Sequence, residues 1–276
     1  MSLYYVLFLA IVQGITEFLP VSSSAHLILG RDLATAIGLP LSEQDAADQL
    51  AFDIALHVGS LGAVVLYFRR DIGEMMMGAL DCLRGRKGPR FHLFLITVVA
   101  TLPIIIIGFL AKDVVTNLLR STEIIAWMTI LFGIALWWAD RSNVTRREPT
   151  EITTKQACLV GLMQCLAIIP GVSRSGITMT AGRLLGFDRP LSARFALLLS
   201  LPTILGAGLM ATYDLYQSGD ARLTADAILG GGFAFLAAWA AVVLMMRWLN
   251  RASYLPFVIY RIALGLLLLG LIYGTS

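Results

Sequence analysis

QGITEFLPVSSSAH, residues 13–26, sets a glutamine, a glutamate, three serines and a histidine into sequence that is otherwise apolar enough for a membrane helix. Pro20 stands in its middle. Proline has no backbone N–H, and its ring clashes with the carbonyl four residues back, so a helix over 3–19 must stop there. A second helix resumes over 23–30. On the first helix Gln13 and Glu17 are one turn apart and share a face. Beyond the break, Ser22 and Ser23 precede His26 by four and three residues and line one face of the returning helix. A second stretch repeats the pattern: the apolar segment 156–169 meets PGVSRSGIT, residues 170–178, and resumes over 175–185. Each interrupted segment reads as two short helices around a polar tip, a hairpin that enters the membrane and returns on the same side. Such irregular backbone is tolerated only where protein buries it or it lines a cavity.

The rest of the chain is the setting for these two tips. Of 276 residues, 58% are hydrophobic and 14% charged, with a mean hydropathy of +0.79. Soluble domains carry about 25% charged residues. The apolar runs are continuous rather than alternating, which favours helical spans over a barrel. A net charge of +3 is no nucleic-acid signature, because the cations cluster at helix ends where topology accounts for them. Cys82, Cys158 and Cys165 are odd in number and lack metal-ligand spacing, so they read as free thiols. No cation precedes the first apolar run and no small-residue cleavage site follows it, so the N-terminal segment is expected to remain in the mature protein. One membrane domain, 1–276, accounts for the length.

Six runs are long enough to span: about 51–68, 91–111, 123–139, 192–213, 227–246 and 254–273. With both interrupted segments as re-entrant hairpins, residues 69–90, 141–155, 183–194 and 247–251 share one side and carry fifteen Lys/Arg. Residues 31–49, 112–122 and 214–226 share the other and carry four. That bias makes the first side cytoplasmic and places both termini outside. The chain then divides into halves of about 1–140 and 141–276, each a hairpin followed by three spans, the second inverted relative to the first. The expected fold is an all-α polytopic membrane protein of six spanning helices plus two re-entrant hairpins in an inverted-topology repeat. Repeats of this kind bring broken helices together near the midplane, where sites form.

The residues at the tips suit an anion. Glycines 171 and 176 permit close backbone approach to a ligand. A helix starting near Arg174 aims N–H groups at the tip, and the guanidinium adds a bidentate donor, a combination suited to phosphate. Ser173, Ser175 and Thr178 add hydroxyls. Ionisable groups inside a membrane are costly and mark function, which singles out Glu17 and Arg174. Serines there often only bond the backbone, the competing reading for Ser22, Ser24 and Ser175. A histidine can take a serine proton, the serine oxygen can attack phosphorus, and Glu17 can hold a divalent cation or carry a proton. An intramembrane hydrolytic site for a phosphorylated lipid and a transporter of such an anion both fit. Asp53 and His57, at the outer start of a span, read as interfacial, as does His92. Arg261 is expected to pair or snorkel, and Met75–Met77 to pack or lie at the interface.

QGITEFLPVSSSAH and PGVSRSGIT resemble the two signature segments of the undecaprenyl-diphosphate phosphatases of the bacitracin-resistance type. The first resembles that family's Glu/Gln-x-x-x-Glu pattern leading into Pro-Val-Ser-Ser and a histidine, the second its Pro-Gly-x-Ser-Arg-Ser-x-x-Thr pattern. The likeness extends to FDIALHVGSLGAVVLYFRRD (52–71) and ASYLPFVIYR (252–261), and covers essentially the whole chain. It implies a multi-pass enzyme of the bacterial inner membrane, opening to the outer, periplasmic side. Such an enzyme converts undecaprenyl diphosphate to the monophosphate carrier reused in cell-wall synthesis, depends on magnesium or calcium, and forms a homodimer. Carried onto this chain, the resemblance makes Glu17 the essential acid, near the metal. Ser23 is the nucleophile with His26 as base, histidine being the rival nucleophile. Arg174 clamps phosphate with Ser173 and Thr178 beside it, and Gln13, Ser22, Ser24 and Ser175 complete the substrate site. Gln13 stands where glutamate is frequent, which weakens any scheme needing two carboxylates, and Ser24 replaces a frequent threonine while keeping the hydroxyl. Lipid flipping is the alternative function.

Overall fold

Apolar runs capped by polar residues become helices along the whole chain. In the computed structural model, which describes residues 2–36, 46–110, 121–218 and 221–274, eleven α-helices follow one another. They are α1 (Leu3–Thr16), α2 (Ser23–Ala36), α3 (Ala46–Tyr67), α4 (Arg69–Leu83), α5 (Pro89–Leu110) and α6 (Thr122–Ala139), then α7 (Thr154–Gln164), α8 (Arg174–Leu184), α9 (Arg189–Ser218), α10 (Ala221–Leu249) and α11 (Leu255–Gly274). Short 3₁₀ turns cover Pro149–Glu151 and Cys165–Ile168. No strand occurs among the described residues. Four helices, α5, α6, α10 and α11, are long and apolar enough to cross a membrane, and a fifth crossing is counted if α3 and α4 are taken together. The protein is therefore an all-helical, multi-pass membrane protein.

Both expected interruptions are present. α1 ends four residues before Pro20 and α2 begins three after it, while α7 with its 3₁₀ extension ends just before Pro170 and α8 begins at Arg174. Two differences from the sequence reading stand out. Residues 69–83, expected within a connection, form the amphipathic helix α4. Residues 214–226 also read as a connection, yet α9 runs to Ser218 and α10 starts at Ala221. The expected connection 112–122 lies almost wholly outside the described residues, and 31–49 partly so. All three cysteines are free thiols.

The helices form two compact units. The first comprises the described residues of 1–19, 23–67 and 200–244. Its core joins Tyr5, Val6 and Leu9 of α1 to Leu27 of α2, Phe52 and Leu56 of α3, and Leu223 and Ala234 of α10. Ile11 and Ile15 on the opposite side of α1 stay exposed, as a lipid-facing stripe should.

The second unit comprises 20–22, 68–199 and the described residues of 245–276. In it α6 packs along α11, and α5 packs on α4 and α7. One end of the unit is tied by Asp140 at the C-terminus of α6. Its carboxylate accepts from Arg189 Nε at 2.7 Å and Nη2 at 3.1 Å, lies 3.3 Å from Arg183 Nε, and accepts the Tyr254 backbone N–H at 3.2 Å. The buried Tyr254 phenol donates to the Arg189 carbonyl at 3.1 Å. Because Arg183 is only 3% exposed, Asp140→Ala leaves it bonded to the carbonyls of Phe187, Asp140 and Ser142 but without this counter-charge. Losing one partner of a buried pair costs about 3–5 kcal/mol. Thermal unfolding in detergent should report a clear drop in stability, and an unchanged midpoint would contradict this role.

Candidate active site

The end of α1, in the first unit, carries one polar group. Gln13 and Glu17 share a face, and the chain leaves the helix through Glu17, whose N–H bonds the Gln13 carbonyl at 2.9 Å. Both side chains are buried. The Gln13 amide Nε2 donates to Glu17 Oε2 at 2.8 Å, and Ser23 Oγ, at the first position of α2, donates to the same oxygen at 2.6 Å. His57 of α3 completes the group, with Nδ1 at 3.0 Å from Glu17 Oε2 and in contact with the Gln13 amide. One carboxylate oxygen thus collects an amide, a hydroxyl and an imidazole. The hydroxyl has a single proton, and it points at Glu17 rather than at His26. His26 stands one turn farther along α2, half-buried, and Ser24 is exposed.

His57, expected at the membrane interface, lies against Glu17 instead. The cost of an ionisable group inside an apolar span, which marked Glu17, applied to His57 equally. Its neighbour Asp53 pairs instead with Arg31 of α2.

The second motif surrounds the tip at Pro170, in the second unit. Among the described residues only Ser22 and Ser173 adopt positive φ without being glycine, at 74° and 72°. They hold matching places: each ends a Val-Ser pair that follows a proline, and each immediately precedes a helix. Such backbone costs about 1–3 kcal/mol and persists only where the surroundings hold it. Gly171, at φ 93°, makes the turn before Ser173, and a Cβ there would lie 2.6 Å from the Ile125 carbonyl oxygen.

Arg261 of α11 holds both tips. It is 0% exposed and neither snorkels nor meets a described carboxylate, contrary to the expectation for it. Its Nη1 donates to the Pro20 carbonyl at 3.2 Å. Nη2 donates to those of Gly171 and Val172 at 2.9 and 3.0 Å, and reaches Met128 at 3.4 Å. Nε donates to Thr129 at 3.0 Å. One guanidinium therefore binds carbonyls from both breaks, all within the second unit.

From this base α8 rises. Ser173 Oγ caps it by accepting the Gly176 N–H at 3.1 Å and lies 3.2 Å from Ser175 Oγ. Thr178 Oγ1 bonds the carbonyls of Arg174 and Ser175 at 2.8 and 3.1 Å. These hydroxyls stiffen the first turn of α8, while Arg174, at its first position, is half-buried and carries the charge.

A divalent cation can be weighed against these donors. Gln13 Oε1 is buried with no hydrogen-bond partner, one turn from the Glu17 carboxylate. A carboxylate with a neighbouring amide oxygen is a hard-oxygen pair of the kind magnesium or calcium accepts. Among the described residues no cluster of three His, Cys, Asp or Glu occurs. A cation here would draw its remaining ligands from phosphate and water, as magnesium commonly does. The residues fit the group.

The family model for "Bacitracin resistance protein BacA" matches residues 6–267. The chain belongs to the BacA family. Curated relatives match along their full length. The undecaprenyl-diphosphatase of Alteromonas mediterranea is 44% identical over 275 residues, covering 99% of this chain and 100% of the relative. That of Chromohalobacter salexigens is 45% identical over 271 residues, with 98% of each covered. That of Ruegeria pomeroyi is 44% identical over 276 residues, with 99% and 100% covered. Within this BacA chain the Glu17 group and the two tips bound by Arg261 coincide with the two sequence motifs.

Proposed function

We propose that this chain hydrolyses undecaprenyl diphosphate, with Ser23 as nucleophile and Glu17 as the base that takes its proton. The activity rests on membership of the BacA family and on relatives named undecaprenyl-diphosphatase. The chain is a membrane phosphatase that returns the lipid carrier to cell-wall synthesis and confers resistance to bacitracin. The observation that carries the mechanism is the 2.6 Å bond from Ser23 Oγ to Glu17 Oε2.

Ser23 Oγ attacks the terminal phosphorus while its proton passes to Glu17. The bridging P–O bond breaks, and undecaprenyl phosphate leaves with the bonding pair. Water then attacks the phosphoserine. The P–Oγ bond breaks, the proton held by Glu17 returns to Oγ, and inorganic phosphate carries away the protons of the water. Arg174 binds the terminal phosphoryl oxygens, where charge accumulates, and Ser173, Ser175 and Thr178 fix the helix turn that presents it. His57 and Gln13 hold the Glu17 carboxylate toward Ser23. His26 is a second proton carrier near Ser22 and Ser23, Ser22 sets the entry into α2, and Ser24 lies at the substrate-facing margin. Glu17 and the free oxygen of Gln13 would hold magnesium or calcium, which supplies charge neutralisation of the diphosphate.

The proposed topology is a single membrane domain of six spans and two re-entrant hairpins in inverted halves, about 1–140 and 141–276. Its support is the matched left-handed serines at 22 and 173 and the fifteen-to-four distribution of cations. On that distribution the first hairpin opens to the periplasmic side of the bacterial inner membrane. The homodimer implied by the resemblance stands as a proposal. Transport of a polyprenyl phosphate, the second reading, needs no serine poised on a carboxylate.

The test is phosphate release by the purified protein from undecaprenyl or farnesyl diphosphate with magnesium. Release from wild type, lost in a folded Arg174→Ala variant, is the expected outcome. Absence of release from folded wild type would overturn the proposal.

A further inference from the structure

We propose that α4 and the basic turn after it form a binding surface for anionic phospholipid, separate from the phosphatase site. The helix has fifteen residues, about 22 Å at 1.5 Å per residue, too short to cross a hydrocarbon core of about 30 Å. It also carries five charged side chains, Arg69, Arg70, Asp71, Glu74 and Asp81.

One face of α4 is occupied. Gly78 is buried so closely against α5 that a Cβ would lie 2.1 Å from the Arg90 carbonyl oxygen. Met75 on that face meets Thr97 of α5, with Oγ1 at 3.9 Å from its sulfur. Asp71 pairs with Arg194, and Glu74 with Arg90 at 2.6 Å. These contacts fix the helix rotation. Ile72, Met76, Leu80 and Leu83 recur at helical spacing on the far side. Three of them are exposed: Met76 at 67%, Leu80 at 43% and Leu83 at 84%. A short helix with a charged flank and an outward apolar stripe lies in the membrane interface.

Charge selects the occupant. Residues 84–90 read RGRKGPR and all seven are exposed; with Arg90 paired to Glu74, Arg84, Arg86 and Lys87 remain as three cations in a stretch without an acid. They begin directly after Leu83, the most exposed apolar residue of the stripe. Apolar side chains at acyl depth with cations at the next level match a phospholipid whose headgroup carries net negative charge. Each Lys or Arg held near an anionic leaflet gives roughly a fivefold preference for such lipid.

The test is native mass spectrometry of the full-length protein released from nanodiscs of equal phosphatidylcholine and phosphatidylglycerol. Wild type should retain phosphatidylglycerol in several-fold excess. In Arg84→Gln/Arg86→Gln/Lys87→Gln the excess should fall by at least about fivefold, with phosphate release unchanged. An equal excess in the triple variant overturns the proposal, as does lipid retained without preference by wild type. Dimers that dissolve in the triple variant, with no lipid preference, would assign the surface to a second copy and overturn it as well.

Discussion

Glu17→Gln should lower phosphate release about a thousandfold while leaving the protein folded. General acid–base groups contribute about 10²–10⁴-fold, and Glu17 is the acceptor of the Ser23 proton. Glutamine keeps the shape of the side chain, and its Oε1 still accepts a hydrogen bond from Ser23. It cannot accept the proton itself. The expected signature is a fall in kcat that saturating magnesium does not restore, because the interaction with Ser23 strengthens only as the serine oxygen attacks. Ser23→Ala should fall by at least as much, and combining the two changes should cost little more than either alone, since the residues act as a unit. Fully additive losses would show that Glu17 works on something other than Ser23. His57→Gln, which keeps a polar group beside Glu17, should lose far less activity than either.

Arg261→Met should be the most damaging substitution outside the reacting groups. It removes the guanidinium donors to the carbonyls of Pro20, Gly171, Val172, Thr129 and Met128 at a place with 0% exposure, leaving Gly171 only the Thr129 hydroxyl at 3.5 Å. Each buried polar group left without a partner costs about 1–3 kcal/mol, and Ser22 and Ser173 would be free to leave their strained backbone. The expected result is a sharp loss of folded protein. Arg261→Lys is the more informative variant. It keeps the charge, but a compact ammonium cannot reach carbonyls on both tips at once as the planar guanidinium does. Folded protein with kcat reduced about a hundredfold, the cost of misplacing a reacting group by about 1 Å, is expected. Wild-type kcat in Arg261→Lys would mean that the tips do not depend on this residue.

The parts of the site legible in the sequence were those written in single residues or at helical spacing. Pro20 and Pro170 announced the breaks, and the four-residue spacing of Gln13 and Glu17 put them on one face. What escaped the sequence had no local signature. His57 reaches Glu17 from a different helix, and no periodicity joins residues forty positions apart. Arg261 looked like a charge in search of a carboxylate because its acceptors are backbone carbonyls, which every residue has and no letter records. The strain at Ser22 and Ser173 was hidden for the same reason, since serine is not the residue that ordinarily marks positive φ. The segment 69–83 read as a connection because its charges obscured the apolar stripe of α4.

The central claim is that Ser23 is the nucleophile and Glu17 its base. It is met most directly by quenching a single turnover of farnesyl diphosphate labelled in the terminal phosphate with neutral denaturing detergent, locating the label on the protein, and then testing its stability in acid and in alkali. Acid-stable, alkali-labile label on the peptide containing Ser23, absent in Glu17→Gln, is the expected result. Label that is acid-labile and alkali-stable, on His26, would contradict it.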